Sequence, residues 1–414
     1  MKNKRTDFVV FKTDNNTCLY HVPSKRRILL DQKLYIQLKN YIYDGKEDKD
    51  VELFLDSNFE KCVDNIDIKM KRLEIMTCTC CNLDCRYCYA HGGHYNQKEE
   101  IMSVKMNEKI LAFLSNVSND IEEVKFFGGE PFLGYKCIIY TCEWFEKNYT
   151  KMPKFKVVTN LTYLPEELID VIVKYHIVLT VSLDGPEKIN NINRYSKDKN
   201  INVYQTVVDN INRLKERGYS VQAIECTYTN EHRKSNYSKQ WLEDYFKKSF
   251  EVQQVIISDE YQPGDKKTED IDYQKLFGTS KIETPIELEL MSRCLDPCHS
   301  GGGLCQIGNS GLTFMPNGDI YPCHMFVYNR NFEMGNISQM NVLEKIENVR
   351  KELNSIRMRV GCIECRARNI CSQCFKDYIF EVQDKSIECD TIRKMNECCL
   401  ARMNKVHIQA NLSK

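Results

Sequence analysis

The chain has 414 residues, of which 42% are hydrophobic and 10% aromatic, enough apolar material for a substantial core. Its 58 Lys and Arg residues balance its 58 Asp and Glu residues, so it lacks the basic excess typical of nucleic-acid binders. No apolar run is long enough to span a bilayer, and the N-terminus has no secretion-signal pattern. These features predict a cytoplasmic globular protein without a nucleic-acid or membrane partner.

Cysteine is the unusual component, with 21 copies in a chain that is too large to need disulfide staples and shows no export signal. This content indicates metal or redox chemistry. The cysteines fall mostly into two groups. One group lies early in the chain and comprises Cys78, Cys80, Cys81, Cys85 and Cys88, and the other fills the C-terminal third from Cys294 to Cys399.

Residues 1–65 are predicted to form a small α+β module. Short apolar runs at 8–11, 18–22 and 27–30 are separated by polar turns and are typical of strands. Helices are predicted over 31–43 and 51–63, on either side of a charged loop. A module of this kind favours binding over catalysis.

Residues 66–258 show strands alternating with helices, which predicts an α/β fold with a parallel sheet. Right-handed crossovers between six strands give a partial (β/α)6 barrel whose ligands bind at the carboxyl ends of the strands. Strands are predicted at 73–76, 124–127, 155–158, 177–183, 223–228 and 252–257, and helices at 106–114, 138–147, 165–174, 204–217 and 239–248. A linker over 259–293 then leads to a cysteine-rich region, 294–414.

The first cysteine group contains a three-thiol loop. Cys81, Cys85 and Cys88 have C-x3-C-x2-C spacing directly after the first barrel strand. A [4Fe-4S] cluster normally takes four cysteines, so three thiolates leave one iron free for an exchangeable ligand. The alternative is a zinc site that uses this loop with Cys78 or Cys80.

This loop, with the aromatic Tyr87 before its last cysteine, resembles the hallmark of the radical S-adenosylmethionine (SAM) superfamily. Three further motifs follow in order at successive strand ends. By resemblance, a Gly-Gly-Glu-Pro segment binds the methionine amino group of SAM, a Thr-Asn segment follows it, and a Ser-Leu-Asp-Gly segment with a later Arg contacts the ribose and carboxylate. The matching residues are Gly128, Gly129, Glu130, Pro131, Asn160, Ser182, Asp184 and Arg194.

Two positions depart from the family pattern. Leu161 replaces the glycine that usually follows Thr-Asn. Asn190 and Asn191 stand where related enzymes have His-Asp, and their amides can keep hydrogen bonds there.

The C-terminal cysteines resemble the SPASM extension of radical SAM peptide-modifying enzymes. The resemblance implies two auxiliary [4Fe-4S] clusters, so three clusters in total. One would be held by Cys298, Cys305, Cys323 and Cys374, and the other by Cys362, Cys365, Cys371 and Cys389. Cys294 competes with Cys298 for the first position, and a pair of structural zinc knuckles is the alternative to both clusters.

The chemistry implied by the resemblance is reductive cleavage of SAM to a 5'-deoxyadenosyl radical, which abstracts a hydrogen atom from the substrate. Cys81, Cys85 and Cys88 are then the catalytic residues, and a flavodoxin or ferredoxin is the expected electron donor. The stretch from Cys88 to Tyr95 resembles maturases of cysteine-rich ribosomal peptides, including the six-cysteine (SCIFF) group, which form thioethers.

The first hypothesis is therefore a maturase that forms Cys thioether links in a Cys-rich precursor peptide. Residues 1–65 would be a leader-recognition element resembling PqqD, which pairs a leader strand with its sheet edge; alternatively they merely cap the barrel. Two other hypotheses remain open: an anaerobic sulfatase-maturating enzyme that makes formylglycine, and a non-enzymatic zinc-cysteine scaffold.

Overall fold

The computed structural model divides into two compact units, each built from segments distant in sequence. The first unit combines the N-terminal residues with those from 351 onward, and the second combines 70–260 with 307–350. The structure describes residues 5–13, 16–24, 26–59, 70–118, 120–260, 307–359, 361–362, 364–368, 371, 389–390, 392–394, 396–398 and 400–401.

The N-terminal module is a three-stranded antiparallel sheet with two helices, as the sequence predicts. The strands β1 (Phe8–Lys12), β2 (Thr17–His21) and β3 (Arg27–Leu30) follow one another in the order β1-β2-β3. Helices α1 (Gln32–Tyr43) and α2 (Lys49–Asn58) come next, and each has an Asp N-cap whose side chain accepts from the first turn. The predicted helical residues from 60 to 63 lie outside the described residues.

Both faces of this sheet are buried within the first unit. Phe8, Val10 and Leu19 pack with apolar residues of α1 and α2. The opposite face, with Val9 and Phe11, packs against residues of the cysteine-rich C-terminal segment. The module therefore has two hydrophobic interfaces. Because both faces are covered, β1 has consecutive apolar residues and lacks the usual alternation of apolar and polar side chains.

The second unit contains the six predicted parallel strands. They are β4 (Arg72–Cys78), β5 (Glu123–Gly128), β6 (Lys154–Thr159), β7 (Val178–Ser182), β8 (Ala223–Tyr228) and β9 (Gln254–Asp259). They pair in sequence order, as right-handed crossover units do. The helices are α3 (Val104–Val117), α4 (Tyr135–Asn148), α5 (Glu166–Lys174), α6 (Glu187–Asn193), α7 (Val203–Glu216), α8 (Asn230–Lys234) and α9 (Lys239–Phe250). The α/β fold prediction is confirmed.

The sheet also includes strands from beyond the barrel. β10 (Gly311–Phe314) pairs in parallel with β4, and β11 (Ile320–Tyr321) pairs antiparallel with β10. The sheet thus has eight strands in the order β11-β10-β4-β5-β6-β7-β8-β9. Helix α10 (Val342–Arg359) follows these strands in the chain.

The two faces of the barrel sheet differ in exposure. Along β5, β6 and β7 the residues alternate between buried and partly exposed. The buried set packs under the helices, as Phe155 of β6 does against Phe145 of α4 at 5.9 Å between ring centroids. The partly exposed set forms what we call the inner face, which comprises Glu74, Lys125, Phe127, Lys156, Val158, Thr180, Ser182, Glu225 and Thr227.

Candidate active site

The three-cysteine loop follows β4 at the carboxyl edge of the sheet. An N–H group points at each of its three sulfur atoms, an arrangement that favours thiolates and is common at iron-sulfur centres. The donor-to-sulfur distances are 3.4 Å from Leu83 N to Cys81 Sγ, 4.0 Å from Arg194 Nη1 to Cys85 Sγ and 3.3 Å from Gly92 N to Cys88 Sγ.

Burial raises the pKa of Cys81 to about 12 and that of Cys85 to about 11. Such thiols lose their protons only when a strong positive charge binds them, and a metal centre supplies that charge. The three-thiol donor set and its N–H contacts therefore fit an iron-sulfur cluster. Among the described residues no three Cys, His, Asp or Glu side chains converge on the position of a single metal ion. In a [4Fe-4S] cluster each thiolate binds a different iron, so the three sulfur atoms need not converge on one point.

The paired glycines after β5 allow the chain to pass close to the cysteine loop. A Cβ on Gly128 would lie 2.5 Å from the Cys78 carbonyl oxygen, and one on Gly129 would lie 2.2 Å from the Cys80 carbonyl oxygen. Gly128 also has a φ of 154°, which a larger residue rarely adopts. The resemblance implies that this segment binds SAM, and the structure shows that its close contact with the loop already requires both glycines.

Glu130 is fully buried, and its carboxylate connects the ends of β5 and β6. Its oxygens accept hydrogen bonds from Phe132 N at 3.0 Å, Thr159 Oγ1 at 2.6 Å and Asn160 N at 2.7 Å. Burial raises the pKa of Glu130 to about 7 despite these three donors. The carboxylate thus positions the Thr-Asn segment beside the cysteine loop.

Asn160 in turn reaches the loop directly. Its Nδ2 donates to Asn82 Oδ1 at 3.0 Å and lies 3.6 Å from Cys81 Sγ. Leu161, at the position where the family has glycine, takes a left-handed φ of 54° and has no exposed surface. The backbone therefore keeps the conformation that a glycine would favour, and the leucine side chain adds buried apolar area.

A buried network joins Tyr87, Asp184 and Arg194. Asp184 Oδ2 accepts from the Tyr87 hydroxyl at 2.6 Å, and Asp184 Oδ1 lies 3.2 Å from Arg194 Nε. The Arg194 guanidinium also lies 5.5 Å from the centroid of the Tyr87 ring. Burial lowers the pKa of Arg194, but the neighbouring negative groups outweigh burial and raise this pKa above its usual range. Three of the sequence-predicted residues therefore form one unit that fixes the cationic group beside Cys85.

The asparagines that replace His-Asp keep hydrogen bonds, as expected. Asn190 Oδ1 accepts from Asp184 N at 3.0 Å, and Asn191 Oδ1 accepts from Tyr204 N at 2.9 Å. A third polar residue lies here that the sequence did not indicate, the fully buried His232. Because Thr229 N donates to His232 Nδ1, the proton lies on Nε2, which donates to the Asp184 carbonyl oxygen at 2.5 Å.

The inner face carries a contact between a glutamate and a histidine that the sequence did not indicate. His324 Nδ1 is hydrogen-bonded to Oε2 of Glu74 on β4 at 3.1 Å, and the His324 ring lies 4.5 Å from the Phe127 ring. The pKa of Glu74 is lowered by His324 and Lys125, which outweigh the opposing effect of burial. His324 follows Cys323, a predicted cluster ligand, so this pair holds the Cys323 segment against the inner face.

The second predicted cluster site lies in the first unit. Burial raises the pKa of Cys362 to about 12, and the nearby thiols Cys371, Cys365 and Cys389 raise it further. Cys362, Cys365, Cys371 and Cys389, which we call the four-thiol group, therefore lie near one another, while their assignment as ligands of one cluster stays a prediction. Backbone hydrogen bonds fold the segment, including Cys365 N to Cys362 O at 3.2 Å and Cys371 N to Ala367 O at 3.0 Å. A closed four-thiol donor set fits a [4Fe-4S] cluster.

Among the residues assigned to the other auxiliary cluster, Cys323 is described and its Sγ accepts from Met325 N at 3.3 Å. Cys298, Cys305 and Cys374, together with the competing Cys294, lie outside the described residues, so this ligand set stays a prediction. Cys78, which had no assigned role, is buried, and its Sγ donates to the Glu130 carbonyl oxygen at 3.0 Å.

Two domain families match this chain. Residues 75–230 match the radical SAM superfamily, and residues 305–375 match SPASM, an iron-sulfur cluster-binding domain. The chain therefore contains a radical SAM domain followed by a SPASM domain, which agrees with the predicted resemblance and not with the zinc-scaffold hypothesis.

Relatives of known sequence include a cysteine-type anaerobic sulfatase-maturating enzyme of Clostridium perfringens, which is 22% identical over 79% of this chain and 95% of its own length. An uncharacterized protein of Methanocaldococcus jannaschii is 32% identical over 130 residues, which are 31% of this chain and 43% of the relative. The chain thus matches less than half the length of that second relative.

Two solved structures share the fold. Native anSMEcpe with bound AdoMet covers 83% of this chain and 100% of its own, with a TM-score of 0.58 and 19% identity. Streptococcus suis SuiB bound to precursor peptide SuiA covers 92% of this chain and 98% of its own, with a TM-score of 0.52 and 15% identity. Within the described residues no helix is both long and apolar enough to cross a membrane.

Proposed function

We propose that the chain is a cytoplasmic peptide maturase that cleaves SAM reductively and forms Cys thioether cross-links in a ribosomally made, Cys-rich precursor peptide. The observation that carries the proposal is the N-terminal module, which belongs to the same compact unit as the four-thiol group. In support, SuiB, a structure with a bound precursor peptide, covers 92% of this chain against 83% for anSMEcpe.

Bound SAM and three [4Fe-4S] clusters would supply the radical and the electron transfer. The chain's own residues supply the rest. Cys81, Cys85 and Cys88 would hold the SAM-binding cluster, and the network of Asp184 would orient Arg194 toward the SAM carboxylate. The Gly128–Pro131 backbone would bind the methionine amino group and Ser182 the ribose, while the inner face of the sheet would exclude water from the substrate.

The edge strand β3 is where a leader peptide would bind. Among the described residues β3 pairs with β2 alone, and its Leu29 is 65% exposed. An extended leader could add a strand to this edge through main-chain hydrogen bonds. A flavodoxin or ferredoxin would supply the electron for SAM cleavage.

The test is anaerobic co-expression with a short Cys-rich reading frame adjacent to the gene, followed by intact-mass spectrometry before and after thiol alkylation. We expect the loss of two hydrogens per link and cysteines that no longer alkylate. Both changes should disappear in a Cys85→Ala variant and persist in Cys226→Ala, a matched control that removes a buried thiol of β8 outside the cysteine groups. An unmodified precursor with iron-replete enzyme that still cleaves SAM would rule out this substrate class.

Sulfatase maturation is the second candidate, because the Clostridium perfringens relative aligns over 95% of its length. It predicts that a sulfatase-derived Cys peptide is converted to formylglycine, which an aldehyde-reactive hydrazide detects. The two candidates differ in their need for the module: oxidation of an internal cysteine to formylglycine should not require β3, whereas leader-dependent maturation should.

A further inference from the structure

The side chain of Asn160 is held in one orientation by hydrogen bonds at its carbonyl end. Its Oδ1 accepts from Thr162 N at 2.9 Å and from Thr162 Oγ1 at 2.6 Å. Its backbone N–H donates to Glu130 Oε2 at 2.7 Å, and Asn160 is buried. A flipped amide would face the Thr162 N–H group with another N–H group, so Oδ1 and Nδ2 cannot exchange places. The nitrogen end of the amide therefore faces the cysteine loop.

This amide nitrogen has two hydrogens, and the cysteine loop offers an acceptor to each. Nδ2 of Asn160 lies 3.0 Å from Asn82 Oδ1 and 3.6 Å from Cys81 Sγ. Because sulfur is larger than oxygen, an N–H···S hydrogen bond is longer than an N–H···O hydrogen bond. As a cluster ligand Cys81 has no proton, so its sulfur can only accept. One hydrogen therefore goes to Asn82 and the other to Cys81.

A closed ring of hydrogen bonds supports this arrangement. Asn160 Nδ2 donates to Asn82 Oδ1, Asn82 Nδ2 donates to Thr162 Oγ1 at 2.8 Å, and Thr162 Oγ1 donates to Asn160 Oδ1. Asn82 directly follows Cys81, so the ring connects the cysteine loop with the residues after β6. The ring does not use the amide hydrogen that faces the sulfur. Support of the loop and donation to the sulfur are therefore separable.

The sulfur of Cys81 receives N–H groups of two kinds from the described residues. The main-chain N–H of Leu83 lies at 3.4 Å, and every residue except proline has such a group. The amide of Asn160 is a side-chain donor, so its presence depends on the residue type at that position. A substitution of Asn160 thus removes one donor from Cys81 and leaves the main-chain donor in place.

Hydrogen bonds to the thiolate sulfurs help to set the reduction potential of an iron-sulfur cluster. An added electron increases the negative charge on the cluster and its sulfurs, so an N–H donor stabilises the reduced form more than the oxidised form. Because Asn160 is buried, little water competes for its N–H groups. An amide donor at Cys81 therefore raises the potential at which a cluster on this loop accepts an electron.

We propose that Asn160 is a positioning residue that directs an amide N–H group at Cys81 Sγ and so raises the reduction potential of the SAM-binding cluster. The inference rests on the proposed function in taking Cys81 as a ligand of that cluster, and it is independent of the precursor peptide. It goes further, since the proposed function gives Asn160 no part in electron uptake. One electron from an external reductant enters the cluster, and no bond to Asn160 forms or breaks.

The experiment is a redox titration of the reconstituted enzyme with titanium(III) citrate, followed by EPR. The part of the EPR signal that changes on addition of SAM identifies the open cluster. Asn160→Leu keeps the shape of the side chain and removes the donor. We expect the equilibrium constant for reduction to fall about 10-fold, which makes the midpoint potential about 59 mV more negative for one electron. SAM affinity, measured by equilibrium dialysis, should be unchanged.

Two control variants separate this effect from a loss of structure. Asn107→Leu removes another buried amide, whose Nδ2 donates to two acceptors on α4 at 3.0 and 2.8 Å. It should lower the stability to denaturant and leave the potential unchanged. Thr162→Val opens the ring of hydrogen bonds but keeps the Thr162 N–H group that orients the amide. It should shift the potential far less than Asn160→Leu does.

A measurement on the wild type covers the case in which Asn160→Leu does not hold its cluster. The enzyme is prepared with asparagine labelled with ¹⁵N in the side-chain amide. Pulsed EPR of the reduced open cluster then detects nitrogen that is hydrogen-bonded to a ligand sulfur. We expect a ¹⁵N coupling that the unlabelled enzyme does not show.

The inference is overturned if the labelled wild type shows no such coupling, if Asn160→Leu keeps the wild-type potential, or if Thr162→Val shifts the potential equally. Lower SAM affinity at an unchanged potential would also overturn it and would indicate a direct contact between Asn160 and SAM. A wild type without a SAM-responsive signal would overturn the inference together with the assignment of Cys81. An unmodified precursor would count against the proposed function alone.

Discussion

The two described cysteine groups differ in what surrounds them. The three-thiol loop has backbone and side-chain N–H groups at its sulfurs and lies at the edge of a sheet whose inner face is partly exposed. The four-thiol group packs against a hydrophobic sheet face that includes Val9, Phe11 and Tyr20. The first arrangement leaves room for an exchangeable ligand, whereas the second encloses its site with apolar side chains. In this molecule the group with three cysteines is thus the more open to solvent, and the group with four cysteines is the more enclosed.

The largest expected effect comes from removing one thiol from each group. Cys85→Ala should abolish SAM cleavage, because two thiolates do not hold the open cluster. Cys365→Ala should retain SAM cleavage while iron content falls by about four atoms per chain, the content of one cubane cluster. Anaerobic reconstitution with iron analysis and 5'-deoxyadenosine measurement provides both values. Equal loss of SAM cleavage in the two variants would break the proposed division of roles.

Asp184→Asn tests the polar side of the comparison. Arg194 would remain buried without its carboxylate, a change that costs about 3–5 kcal/mol in other proteins. We expect a lower midpoint of chemical unfolding and weaker SAM binding, measured by denaturant titration and calorimetry. Asp209→Asn, on the exposed surface of α7, is the control and should leave both quantities unchanged. Wild-type stability in Asp184→Asn would show that the network is not structural.

Phe11→Ala tests the apolar side. Phe11 is 4% exposed and belongs to the face that covers the four-thiol group, so its truncation should cost about 3 kcal/mol. Hydrogen exchange of residues 5–59 should rise, and oxygen should bleach the auxiliary cluster faster than in the wild type. Leu53→Ala, an exposed position on α2, should change neither rate. Unaltered bleaching in Phe11→Ala would mean that the sheet does not protect the site.

The smallest expected effect is a pH dependence of the module. His21 has no exposed surface and lies between the rings of Phe8 and Phe59, and burial lowers its pKa to about 4. In the unfolded chain His21 takes up a proton near pH 6.5, whereas in the folded module it stays neutral until about pH 4. The folded module is therefore fully stable above pH 6.5 and becomes less stable as the pH falls toward 4. Between pH 7 and pH 5 we expect the module to lose about 2 kcal/mol.

Hydrogen exchange of the module at the two pH values measures this loss. His21→Phe keeps an aromatic ring and removes the titrating group, so its stability should not decline in the same interval. A parallel decline in both proteins would assign the effect to other groups.

The strands of the barrel could be predicted because each is an apolar run bounded by turns, and their predicted positions overlap all six observed strands. The motif residues could be placed at one edge because parallel strands end together. The C-x3-C-x2-C spacing is also a local pattern, so the three-cysteine loop could be identified from the sequence. These features depend on residues that are close in sequence.

Features that depend on distant contacts could not be predicted. The packing of Val9 and Phe11 against the C-terminal segment joins residues more than 350 positions apart and leaves no periodic signal. Likewise, nothing local indicates that β10 pairs with β4 or that His324 binds Glu74. The left-handed backbone at Tyr95 could not be predicted either, because a tyrosine gives no sequence sign of that conformation.

The pairing of β10 with β4 has a consequence for biosynthesis. Gly311 aligns with Arg72, so the barrel sheet acquires its β10 and β11 strands only after most of the chain has left the ribosome. The second hydrophobic face of the N-terminal module is covered later still, once the residues around Cys365 and Leu400 have been synthesised. Long-range closure of this kind slows folding and exposes strand edges meanwhile. Insertion of a cluster into the four-thiol group would therefore require that synthesis has passed Cys389, and the nascent chain needs protection until then.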